Sequence, residues 1–329
     1  MKDRVRWGII GASNIAERVI RDIRRVPGCE VIAVASRSTA RGQEWADRNQ
    51  VPRVFGSYAE LAEADEVDVA YVTTVHSEHF AAASTCLDAG KPVVIEKPFT
   101  TGLADAEDLV RRARETGTFL MEAMWMLCNP VVLEVRERVL SGDIGDLLQV
   151  RANLGPSPGR NARLFDRTVG GGVLLECGVY PVAFAFAMLG EPQRIDVSGH
   201  IDPASGIDDA VGLLLGYADG AHALLTSSVA RSVAPGPISG AQLVGTKGWI
   251  ELSPSLVCPD EYVLYTKPGR STTVHRPTLG GGYVEQSEEV ARCIRDGALE
   301  SSLIPHSLTL GTMSVIDTAL RQTELSYTR

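Results

Sequence analysis

Apolar and polar positions follow two rhythms along this chain. Up to about residue 129, short apolar runs at 5–10, 31–35, 69–73, 93–95 and 119–123 predict strands buried on both faces. The stretches between them, 15–26, 40–49, 78–89 and 104–116, repeat apolar residues at helical spacing and predict amphipathic helices. Gly90 and Gly117 stand just past two of these, where helix C-termini favour glycine. Alternation of this kind predicts a parallel sheet covered by helices on both faces.

Beyond residue 130 the rhythm changes. One helix is predicted at 131–141 and a strand at 147–154, and a second helix follows the run Gly170-Gly171-Gly172. From 194 to about 275 the chain reads as a meander. Its segments 209–217, 222–229, 241–245 and 249–252 are rich in Val, Ile, Leu and Thr, with hairpin signals at Asp219-Gly220 and Lys247-Gly248. Two helices, 284–296 and 308–322, close the chain. The expected class is α/β: a doubly wound Rossmann domain over 1–125, then an α+β domain over 126–329 with a large, mostly antiparallel open sheet. The closing helices are free to pack back on the first domain. At 329 residues, two cores are the natural expectation.

Composition narrows the partners. Hydrophobic content of 44% with 22% charged residues is that of a globular protein, and the formal net charge of −9 speaks against nucleic acid as the main partner. The six cysteines, Cys29, Cys86, Cys128, Cys177, Cys258 and Cys293, form no Cys-x-x-Cys pair and no zinc spacing. They read as core residues in a reducing compartment, with no metal expected. The first residues run straight into a strand, and no uninterrupted apolar run reaches the ~18 residues of a membrane span. A cytoplasmic protein without a membrane partner is the expectation.

The candidate chemistry lies beyond strand ends. After the first strand comes Gly11-Ala12-Ser13-Asn14-Ile15-Ala16, a Gly-x-Gly-x-x-Ala turn with Ser13 at the second glycine, where backbone N–H groups can cradle a pyrophosphate. The second strand ends in Ser36-Arg37 with Arg41 one helical turn on, and no carboxylate stands there. Guanidinium groups suit a 2′-phosphate, which favours NADP(H), with NAD(H) the alternative. Thr73-Thr74-Val75-His76, with His79 three residues on, and Glu96-Lys97-Pro98 follow two further strands. A lysine at such a strand end can exchange a proton while hydride moves, and partial desolvation lowers its pKa. His76 and His79 have a spacing that could hold a metal, yet nothing completes a site; they read as nicotinamide-side and capping groups.

At these residues the chain resembles the Gfo/Idh/MocA family of NAD(P)-dependent oxidoreductases. The resemblance rests on Trp7-Gly-Ile-Ile-Gly11, Thr73-x-x-His76, Glu96-Lys97-Pro98, Met121-Glu-Ala-Met124-Trp125, Gly170-Gly-Gly-Val-Leu-Leu-Glu-Cys-Gly-Val-Tyr180-Pro181, and the closing Pro305-His-Ser-Leu and Ile316-Asp-Thr-Ala-Leu. It covers nearly the whole chain and is nearest the dimeric dihydrodiol dehydrogenase and sugar dehydrogenase branch. It implies hydride transfer between NADP(H) and a CH–OH group of a sugar, polyol or dihydrodiol-like substrate, with oxidation across a CH–CH pair as a variant. It also implies a homodimer or homotetramer built through the open sheet. Lys97 matches the family's catalytic lysine, and Tyr180 the His or Tyr that donates a proton or orients substrate. Trp125, Asn153 and Arg163 fall in segments that line the pocket in relatives, and are candidate substrate contacts.

Departures from the family pattern stand beside these matches. Glu176 replaces the usual Asp four residues before Tyr180; the spacing puts both on one helix face, with a carboxylate reaching one methylene further. Val75 replaces a frequent Pro, and Met126-Leu127-Cys128 a more polar run. Two other functions therefore stay open: a dinucleotide-binding regulatory or scaffold protein without turnover, and a biliverdin-reductase-like activity on a flat, less polar substrate.

Overall fold

Six short parallel strands, four of them almost wholly buried, organise the first unit of the computed structural model, which describes residues 4–155, 162–229, 238–252, 254–267 and 269–323. The chain divides into two compact units: Met1–Trp125 with Leu279–His306, and Met126–Thr278 with Ser307–Arg329. In the first, β1 (Val5–Ile10), α1 (Asn14–Ile23), β2 (Cys29–Ala35), α2 (Thr39–Asn49), β3 (Arg53–Phe55), α3 (Tyr58–Glu63), β4 (Val69–Val72), α4 (His79–Asp88), β5 (Val93–Glu96), α5 (Leu103–Thr116) and β6 (Leu120–Ala123) follow in order. The strands lie 3-2-1-4-5-6, all parallel, which is the dinucleotide-binding order with its switch point between β1 and β4.

Local chemistry explains where these helices begin. Ser13, Ser38 and Ser57 each cap a helix by accepting from the amide three residues on, at the starts of α1, α2 and α3. Gly117 closes α5 at φ +63°. The pattern of the sequence does not reveal β3 and α3, since three residues of strand and six of helix carry too little periodicity to register.

The second unit contains α6 (Pro130–Leu140), β7 (Leu147–Gly155), α7 (Val179–Leu189), β8 (Arg194–Ile201), β9 (Asp208–Gly216), β10 (His222–Ser228), β11 (Ile238–Gly245), β12 (Trp249–Leu252), β13 (Glu261–Lys267) and β14 (Arg270–His275). Of the two closing helices, α8 (Val284–Asp296) belongs to the first unit and α9 (His306–Gln322), from Ser307 on, to the second. The eight strands lie 14-13-12-11-7-10-9-8, with every pair antiparallel except β7–β10. The expected single meander is thus two, β8–β10 and β11–β14, with β7 inserted between them. Alternating hydrophobicity identifies a strand but not its neighbours, and so this insertion was not visible.

One face of this sheet is covered by helix and the other is open. Ala223, Leu225, Leu213 and Leu215 point to the covered side, whereas Leu214 and Leu224, paired across β9 and β10, are 41% and 40% exposed. Within the helical stretch Arg167–Leu189 the most apolar window of 18 residues has a mean hydropathy of 1.8, enough by length and composition alone to cross a membrane, and 72% of that window is buried inside the structure. Packed on β7 and β10, α7 is the core helix of this unit.

Candidate active site

The β1–α1 turn has the shape a pyrophosphate needs. Gly11 sits at φ +104°, and a Cβ there would lie 3.2 Å from the Thr73 carbonyl, so only glycine fits between the two strand ends. Thr73 braces the turn from β4, its hydroxyl lying 2.7 Å from the Gly11 carbonyl and 3.1 Å from that of Ile10. Ser13, at φ −123°, needs no glycine-like freedom; its hydroxyl accepts from Ala16, and its carbonyl is held by the Trp45 indole. The amides of Asn14 and Ile15 then precede the first intrahelical bonds of α1, at the positive end of its dipole. Ala12, in the turn itself, is half-buried. Thr74 carries a buried hydroxyl without a hydrogen-bond partner, an unfilled polar position at the end of β4. A rigid turn, free helix-end amides and an orphaned hydroxyl fit a dinucleotide.

At the end of β2, Ser36 is half-buried and accepts from the Ser38 amide, while Arg37 and Arg41 are exposed. Arg37 faces Glu78, which lies on a short 3-10 turn, His76–Glu78, leading into α4; the two charged groups are 3.6 Å apart. Glu78 carries no signal in the sequence that ties it to Arg37.

Lys97 is half-buried and follows β5 directly, with its neighbours anchored on both sides. Before it, the buried Glu96 accepts from Tyr71 at 2.8 Å, and the Tyr71 oxygen accepts from Gln286 of α8 at 3.1 Å. Burial and the Glu96 charge push the Tyr71 phenol well above its usual range, so it remains a donor. After it, the Lys97–Pro98 bond is cis; the Pro98 carbonyl lies 2.8 Å from His79 Nδ1, and the Phe99 amide donates to the buried Glu122 at 3.0 Å. His79 is fully buried, and desolvation, with His76 and Lys97 adding positive charge nearby, lowers its pKa to about 3. It is therefore neutral, and the shorter contact, to Pro98, takes its single ring proton. Its Nε2 lies 3.3 Å from the Thr74 carbonyl, and its ring packs edge-on to His76 at 5.6 Å.

Four of the expected cofactor contacts, Thr73, His76, His79 and Glu96, are buried in the described structure, and Thr73, His79 and Glu96 hydrogen-bond to the strand-end backbone or to Tyr71. Trp125 is 8% exposed and stacks on Tyr283 at 4.7 Å, and the Arg18 guanidinium lies over the other aromatic of that stack. The segment carrying Tyr283 is fixed by Asp22 of α1, which accepts from Gly281 and Tyr283 amides at 2.7 and 3.0 Å.

In the second unit the glycine run has a steric cause. A Cβ at Gly171 would meet the carbonyl oxygens of Leu164, Arg163 and Asp166 at 2.6–2.7 Å, so the short 3-10 turn Ala162–Phe165 lies directly on the run. Arg163 is exposed on that turn, and Asn153 is half-buried in β7 opposite Thr226. A wide π-helical turn, Leu174–Gly178, then leads into α7; its start is tied to β9, where Asp208 accepts from the Leu174 amide at 2.6 Å. Glu176 is half-buried in this turn and Tyr180, 6% exposed, follows in α7. Such wide turns occur often at functional sites. Among the described residues no group of three or more His, Cys, Asp or Glu could hold a metal, and five of the six cysteines are buried.

Of the supports, Glu122 falls inside the Met121–Trp125 motif quoted from the sequence, without a role given to it, whereas Tyr71, Gln286, Asp22 and Asp208 carry no motif. Tyr71 and Glu122 left a faint signal, as polar atoms within apolar strands. Gln286 and Asp22 left none, because their partners are more than two hundred residues away.

Comparison with known proteins places these features in context. Residues 5–124 match the oxidoreductase family with NAD-binding Rossmann fold, and residues 132–251 the GFO/IDH/MocA C-terminal domain. The chain is 35% identical over 313 residues to the trans-1,2-dihydrobenzene-1,2-diol dehydrogenase of Mus musculus, covering 92% of this chain and 91% of that protein. It is 34% identical over 315 residues to the Homo sapiens enzyme of the same name, covering 92% of each. Among solved structures, a 3-ketoreductase from Actinomadura kijaniata in complex with NADP and TDP-benzene superposes with a TM-score of 0.85 at 25% identity, covering 97% of both chains.

Proposed function

The chain belongs to the Gfo/Idh/MocA oxidoreductase family, and we propose that it transfers a hydride between NADP(H) and the secondary alcohol or ketone of a dihydrodiol, polyol or sugar. The observation that carries this function is the anchoring of Lys97. Glu96, Pro98 and Phe99 are each tied to a buried side chain, while the lysine between them stays half-buried. Rigid placement of one partly exposed amine is what proton transfer in a fixed geometry requires. Names of the curated relatives, dihydrodiol dehydrogenases, and the NADP complex of the ketoreductase support the substrate class and the coenzyme.

When bound, the nicotinamide accepts or supplies the hydride. The Gly11 turn and the Asn14 and Ile15 amides hold the pyrophosphate, and Ser36, Arg37 and Arg41 hold the adenosine ribose and its 2′-phosphate. As the substrate C–H bond yields its hydride, the Lys97 amine would take up the O–H proton, and in reduction it would return it; Tyr180, in the second unit, would orient the substrate. Glu176 accepts from a substrate hydroxyl, with Asn153 and Arg163 as further contacts. The filled lysine and tyrosine positions weigh against a scaffold without turnover.

The protein works in the cytoplasm as a homodimer or homotetramer, with copies joined through the open face of the second sheet. A panel of trans-dihydrodiols, aldoses, inositols and deoxysugar ketones, run with NADP(H) and NAD(H), tests the function. Turnover of at least one class with NADP(H) is expected. Cofactor binding without turnover on any of them would overturn the proposal.

A further inference from the structure

A Rossmann domain that binds NAD usually places a carboxylate at the end of β2 to accept from the ribose 2′-hydroxyl, and one that binds NADP places an arginine there. Here the end of β2 offers only Ser36 and Arg37. The fold nevertheless brings a carboxylate to the same place from another strand: Glu78, on the turn after β4, lies 3.6 Å from the Arg37 guanidinium. Glu78 occupies the cap position of α4 but makes no capping bond to its own helix. The third ionisable group nearby is Tyr58 at the start of α3, whose phenol burial pushes up, while Arg37 pulls it down and Glu78 pushes it up. Arginine, carboxylate and phenol thus share one patch at the end of β2.

We propose that Glu78 is a cofactor-selectivity residue. It holds the Arg37 side chain in the free protein, competes with the 2′-phosphate of NADP(H), and accepts from the 2′-hydroxyl of NAD(H). The chain thereby admits both coenzymes, with a preference for NADP(H) that Glu78 restrains. This rests on the assignment of NADP(H) to this site. The pair is largely solvated, at 71% exposure for Arg37 and 36% for Glu78, and exposed pairs contribute at most about 1 kcal/mol, a factor of about five in affinity. The effect is a tuning of preference and not an exclusion.

The test is equilibrium binding of NADPH and NADH, by nicotinamide fluorescence, to the intact protein and to Glu78→Gln and Arg37→Ala. Glu78→Gln should tighten NADPH about two- to fivefold and weaken NADH, because the guanidinium released from its ion pair gains a phosphate partner while the ribose hydroxyl exchanges a charged acceptor for a weaker neutral one. A merely structural role would move both coenzymes in the same direction. Equal shifts, or none, overturn the proposal. Arg37→Ala should weaken NADPH at least about tenfold and abolish the effect of Glu78→Gln. NADPH affinity that ignores Arg37 would instead remove the coenzyme assignment itself, which separates the two failures.

Discussion

His79 shows how a single residue acquires a role its sequence context does not announce. Read along the chain, it is one of two histidines with metal-like spacing; in the fold it holds the carbonyl next to Lys97 and is sealed from water. Its pKa of about 3 in the folded protein, against about 6.5 unfolded, has a consequence for stability. Between those two values the unfolded chain binds a proton that the folded chain refuses, so stability rises with pH through this window and is lost as pH falls below about 6.5. Burial of this one imidazole accounts for a loss on the order of 3 kcal/mol by about pH 4. His79→Gln, whose amide can still donate to Pro98 but does not titrate, should flatten that acid limb in urea titrations run from about pH 7 to about pH 4. An acid limb as steep as in the parent protein would show that His79 is not the group refusing the proton. The orphaned Thr74 hydroxyl and the Arg37–Glu78 pair belong to the same scale: each depends on one side chain meeting another element.

At the scale of elements, the hydrophobic pattern was highly legible. Strands β1 and β12 and helix α8 coincide with their expected limits, and most others differ by one to three residues. Both glycine-bearing hairpins, β9–β10 and β11–β12, form as antiparallel pairs. Pairing between distant strands was not legible, since β7 enters the sheet between β10 and β11 without any local mark. The same sheet raises the question of its open face. Leu214 and Leu224 oppose each other there, and Trp249 stacks on Tyr265 at 3.7 Å. A cover formed by a second copy would remove these groups from water, at about 25 cal/mol per Å² of apolar surface. Leu224→Asp should therefore shift sedimentation at micromolar concentration from a dimer or tetramer toward monomer, with little change in the far-ultraviolet spectrum. A monomeric parent protein would refute assembly altogether.

For the molecule as a whole, the first forty residues and a handful of strand-end motifs carried the functional interpretation. Gly11, Thr73 and Lys97 were legible because each follows an apolar run at the carboxyl end of a parallel strand, where the doubly wound fold concentrates ligand contacts. What holds them was not legible. The Tyr71–Glu96–Gln286 chain and the Asp22 anchor join residues that only the completed fold brings together, with Gln286 and the Asp22-bound amides arriving from a segment that begins at Leu279. The consequence for mechanism is that Lys97 is held by buried groups on both sides and owes its position to them. The most direct test of its role is the rate of NADPH oxidation by Lys97→Met protein on the best carbonyl substrate, taken beside its NADPH affinity. A fall in rate of at least about a hundredfold, with affinity unchanged within a few-fold, is predicted. Turnover at the parent rate in that variant would contradict the assignment of Lys97 as the proton-transferring residue.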